Sequence, residues 1–167
     1  PITDLRLVQA LIGFAQARVE MAQLTDASKN AAEATSIIRQ ALKLSTNNIP
    51  MRKLLVEVTL LQGRIALALG EHDAGIKNLL GARTALKSLE WPDPTIQDLS
   101  FRIRFNAEIG NALDQNQQHE EGLAAYDDVV RDVQALLQKD PQHPLVGELP
   151  AIERTRAFIR SHVVASH

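Results

Sequence analysis

The residues in this 167-residue chain whose types invite chemistry are five histidines and several adjacent carboxylates. His119 is followed by Glu120 and Glu121, and His72 by Asp73. A zinc site on one helix needs a second ligand a turn away, as in a His-Glu-x-x-His pair, and neither histidine has one. Acids at a helix start are favoured by the dipole, so both clusters read as solvated helix N-termini. His143, His162 and His167 are spread over a loop and the chain end. The carboxylates of Asp127-Asp128 and Glu120-Glu121 diverge by about 100° on a helix and cannot share a proton. No glycine-rich loop with a following Lys cradles a phosphate, and there is no Cys to serve as nucleophile or thiolate ligand. No nucleophile, base and orienting group assemble from these residues, so the sequence predicts no catalytic residue, no resident metal and no cofactor. Arg156 and Arg160, one turn apart, read as a solvated face in preference to a phosphate grip. Trp91, the single Trp, sits in a Pro-rich loop and reads as filling a gap between helix pairs.

The elements that must carry these residues are helical. Hydrophobic residues make up 45% of the chain and aromatics only 4%, with Leu, Ala, Ile and Val interleaved among Gln, Glu, Arg and Lys. With 18 basic and 20 acidic residues the formal charge is −2, which offers no field to recruit nucleic acid or an anionic membrane. Apolar runs stay far short of the roughly 20 residues that span a bilayer. The length suits one domain, residues 1–167. Because it begins at Pro1 without an initiator Met, the chain reads as a processed protein or part of a larger one. Its compartment stays open, with the cytoplasm slightly favoured.

A repeat organises the whole. Ala41-Leu42, Ala85-Leu86 and Ala135-Leu136 each lead to a Pro eight residues on from the Leu, at Pro50, Pro94 and Pro144, with spacings of 44 and 50. A second marker, a Gly within an apolar helical pattern, stands at Gly13, Gly63 and Gly110, with spacings of 50 and 47. Two markers of nearly one period predict a helix, a turn and a second helix, repeated three times. Leu123, Tyr126, Val130, Val133 and Leu137 form the clearest apolar stripe. The expectation is all-α: about three stacked antiparallel helix hairpins, at 4–50, 51–94 and 95–144, and a capping helix within 145–167.

Around Gly63 and Gly110 the pattern resembles the tetratricopeptide repeat. That family's small and large positions match Gly63, Ala66, Gly70, Gly75, Leu79 and Ala82, and again Ile109, Gly110, Leu113, Gly122, Tyr126 and Val129. Thr59 and Asn106 stand where the family places an aromatic, and the unit is longer than its repeat of about 34 residues. The resemblance implies a superhelix whose concave face, lined by the first helix of each pair, binds a protein or peptide segment without catalysis. Its register puts Ala10, Phe14 and Arg18, then Glu57, Leu60, Arg64 and Leu67, then Arg104, Ala107, Asn111, Asp114 and Gln115 on that face. Arg64, Arg104 and Asn111 would supply polar contacts, and Phe14, Leu60 and Leu67 apolar ones. The alternative is a sensor, regulatory or self-associating (homo-oligomeric) domain of a larger signalling protein such as a kinase or transcription regulator.

Overall fold

The computed structural model describes residues 2–89 and 92–165, so the readings of Trp91 and His167 lie outside it. The described residues form helices and no strand: α1 (Ile2–Glu20), α2 (Leu24–Leu44), α3 (Ile49–Ala68), α4 (His72–Lys87), α5 (Ile96–Gln115), α6 (His119–Lys139), the single-turn α7 (Pro144–Gly147) and α8 (Leu149–Ala165). None is long and apolar enough to cross a membrane. The protein is therefore all-α, with α1 packed on α2, α3 on α4 and α5 on α6 as hairpins. It divides into two compact units, Pro1–Leu89 and Glu90–His167.

Every hairpin turns in the same way. The N–H groups of Ala22 and Gln23 donate to the carbonyls of Val19 and Arg18; Gly70 and Glu71 donate to Leu67 and Ala66; Gln117 and Gln118 donate to Asp114 and Leu113, all within 2.8–3.0 Å. This double bond around a left-handed residue satisfies carbonyls that a helix end leaves unpaired. Ala22, Gly70 and Gln117 take φ values of 57°, 79° and 64°. Their positions, 22, 70 and 117, repeat at 48 and 47 residues.

Side chains cap the starts of α3 and α5. Asn48 accepts from the Met51 N–H at 3.2 Å to cap α3. Thr95 and Asp98 form a reciprocal capping box at α5. Pro50 and Pro144 fall in first turns, where a missing N–H costs nothing.

Small residues set how closely each pair approaches. A Cβ on Gly63 would lie 3.0 Å from Leu79, and one on Gly122 would lie 3.0 Å from the Gly110 carbonyl. Counting back 48 residues from Gly63 reaches Ala15, which is fully buried. Gly13, the expected marker of the first pair, has no atom within 4 Å of its would-be Cβ. The register of that pair is therefore corrected by two residues: Ala15 takes the packing role because a methyl still fits there.

The first unit buries Val8, Ile12, Ala31, Ile38, Leu54 and Ile65 in a core in which α3 contacts α1 and α2. In the second, Leu99 and Ile103 meet Val129, Val133 and Leu136, and Leu145, Val146, Leu149 and Ile152 pack against them. A buried ion pair, Arg102 with Asp132, joins α5 to α6; its Nε donates to Oδ2 at 2.9 Å. The expected last helix is present with the bounds Leu149–Ala165, and packs on α6 through Ile159, which is buried. Arg156, read as part of a solvated face, pairs at the surface with Asp127 of α6 at 2.5 Å.

Candidate functional site

In the first unit, Phe14 is 62% exposed and shares one face of α1 with Leu7, seven residues before it; Met21, just past the helix end, is exposed too. Arg18 reaches the Asp26 carbonyl at 3.3 Å and Asn30 Oδ1 at 3.2 Å, and so ties α1 to α2. Arg64 is exposed and Glu57 half-buried, seven residues apart on α3. Leu60 is 3% exposed, and Leu67 packs where a Cβ on Gly75 would stand, inside the α3–α4 pair. Leu60 therefore supplies packing, not contact surface, while Leu67 is half-buried. The helix is apolar on most sides, so spacing alone could not separate its inner and outer leucines.

In the second unit, α5 presents Phe101, Arg104 and Glu108 on one face, one turn apart. Beside them lies a cavity of about 690 Å³, floored by Ile96, Phe101, Ile103, Ala107, Leu145 and Ile152. Exposed charges, Arg104, Glu108 and Glu148, stand among its lining. The Arg104 guanidinium lies 4.6 Å from the Phe105 ring centre, and the Phe101 ring is 4.4 Å from that of Phe105. Cation–π attraction therefore holds the guanidinium over the aromatic pair. Arg104 and Ala107 were expected on a concave face from the family resemblance; Leu145 and Ile152 come from other helices and carried no local signal.

A Ser–His contact lies in the same wall. Ser100 Oγ is 3.4 Å from His143 Nε2 and donates to the Ile96 carbonyl at 2.8 Å. His143 Nδ1 accepts from the Leu145 N–H at 3.3 Å as the cap of α7. An imidazole accepting at Nδ1 carries its proton on Nε2, which therefore donates to Ser100 and cannot take a proton from it.

The remaining expected residues lie near the α5–α6 turn. Gln115 is exposed, and Asn111 Oδ1 accepts from the Tyr126 hydroxyl at 2.9 Å. Burial pushes the Tyr126 phenol above its ordinary pKa, against the Asn111 bond. Asp114 Oδ1 receives both His119 Nδ1 at 2.6 Å and His162 Nδ1 at 2.9 Å. Burial pushes the Asp114 carboxyl up, but the hydrogen bonds from His162 and His119 together hold it below the usual carboxylate range. The two imidazole rings are 5.0 Å apart, and Phe158 lies edge-on to His162 at 4.3 Å. His119 was set aside for want of a ligand one turn away; its neighbours come instead from the end of α5 and from α8. Asp114 and His119 flank the turn and could have been paired from its geometry, but no spacing links them to His162.

No protein-family model, curated protein or solved structure matches the chain.

Proposed function

We propose that this chain is a non-catalytic protein-binding module built from tetratricopeptide-like helix pairs, and that its second unit seats an apolar side chain of a partner segment in the cavity beside α5. The cavity carries this reading: about 690 Å³ with an apolar floor and a few charged groups is the form of a recognition site. Ile96, Phe101 and Ile152 would hold the anchor, while Arg104, oriented by Phe105, would meet a carboxylate flanking it. The turn recurring at 48 and 47 residues, with small residues at the close approaches, supports the family resemblance. The non-catalytic reading is supported by the proton directions at Ser100 and His143, which oppose nucleophile activation.

The test is partner capture with the wild-type chain and a Phe101→Ala, Arg104→Ala double variant of unchanged helical circular dichroism. A partner that binds the wild type and loses at least about tenfold in affinity for the variant, as removal of central anchors does, supports the proposal. A partner held equally by both contradicts it.

A second reading rests on α1. Leu7 and Phe14, seven residues apart, are exposed on one face of it, with exposed Met21 just past its end, which suits self-association by helix pairing. Sedimentation velocity should then show a dimer that Phe14→Glu converts to monomer; a wild-type monomer throughout would remove this reading.

A further inference from the structure

We infer that Asp114, His119 and His162 form a site for one divalent transition-metal ion of the zinc class, which fastens α8 to the α5–α6 pair. The residues come from the last turn of α5, the first position of α6 and the end of α8, and converge only in the folded chain. Asp114 Oδ1 and one ring nitrogen from each histidine lie within 4.8 Å of one another. One carboxylate and two imidazoles are the donors a borderline-soft cation takes, whereas calcium and magnesium require several oxygens.

The geometry needs little change to accept the ion. Bonds of about 2.0–2.2 Å in a tetrahedron separate ligand atoms by roughly 3.3–3.5 Å. The observed Oδ1–Nδ1 distances of 2.6 and 2.9 Å must therefore open by about 0.8 and 0.5 Å, through rotations of rings that are partly at the surface. An ionised carboxylate only accepts, so each Nδ1 now donates its proton to Asp114. The ion takes the place of those two protons, which leave to water, while each ring takes one proton from water at Nε2 and stays neutral. The rings are 22% and 33% exposed, enough for that exchange. Asp114 also lies at the carbonyl end of α5, where the helix dipole favours positive charge. Three protein ligands leave a fourth position for water.

The proposal does not depend on the cavity beside α5, and its test is separate. Protein stripped with chelator is titrated with zinc chloride by calorimetry, and with cobalt chloride in the visible range. The expected result is one zinc ion per chain, a tetrahedral cobalt spectrum, a raised Tm with zinc, and no response to magnesium chloride. Asp114→Asn, His119→Gln and His162→Gln should each weaken zinc binding by at least about tenfold. His72→Gln and His143→Gln should leave it unchanged. If Asp114→Asn loses its helical circular dichroism, His162→Gln, at a partly exposed position, still decides. Absence of saturable binding, or binding unaffected by His119→Gln and His162→Gln, or binding lost in the His72 and His143 variants instead, overturns the site.

Discussion

Arg102 and Asp132 are both almost fully buried and bonded to each other, so each depends on the other for the loss of its hydration. Asp132→Ala should cost about 3–5 kcal/mol, measured by urea unfolding, because the Arg102 charge is left buried without its carboxylate; Arg102→Ala should cost less, because Asp132 keeps Arg131 Nε at 3.5 Å. An Arg102→Met, Asp132→Leu double variant should recover most of that loss, since a packed apolar pair needs no compensation. At the turns, Ala22 and Gln117 hold a left-handed backbone that Gly70 takes without a Cβ clash. Ala22→Gly and Gln117→Gly should each raise stability by about 0.5–1 kcal/mol, the relief of αL strain less the entropy of glycine. The Asp114 carboxyl is held below its ordinary pKa, and this sets its pH dependence. Its contribution is fully present above the unfolded-state carboxylate pKa and is lost as pH falls through the lower folded-state value. Acid titrations of Tm should show that loss in the wild type and a smaller one in Asp114→Asn.

Between elements, the helix pairs are set by close approach. Gly122 would place a Cβ 3.0 Å from the Gly110 carbonyl and 3.2 Å from the Asp114 amide, neither of which is a flexible side chain end. Gly122→Val should therefore force α5 and α6 apart and cost about 1–3 kcal/mol in denaturant unfolding. The hairpins were legible in the sequence because Gly63 and Gly110 mark the contact, and Pro50 and Pro144 bound the loops between helices, where they fall in the next first turn. The first pair was read two residues out of register because Ala15 does what glycine does elsewhere, while Gly13 faces open space. The register of the family resemblance put Arg104, Leu60 and Leu67 on the concave face; Arg104 is exposed, but Leu60 is buried on a helix apolar on most sides, where register alone does not separate inner from outer leucines. The cavity wall from Leu145 and Ile152, and the meeting of His162 with Asp114, depend on α7 and α8 folding back; local pattern carries no such information.

At the scale of the molecule, the chain holds two compact units, each with its own apolar cluster. The cavity proposed to seat a partner belongs wholly to the second, between α5, α7 and the start of α8. Recognition should therefore depend on one helix face and on residues brought to it from the chain's end. The measurement that tests this most directly is an amide chemical-shift map of the isotope-labelled chain, titrated with a peptide selected for binding from a display library. Shifts should concentrate at Ser100, Phe101, Arg104, Ala107, Leu145 and Ile152, and be lost in the Phe101→Ala, Arg104→Ala variant. Shifts confined to other helices, or unchanged in the variant, would contradict recognition there.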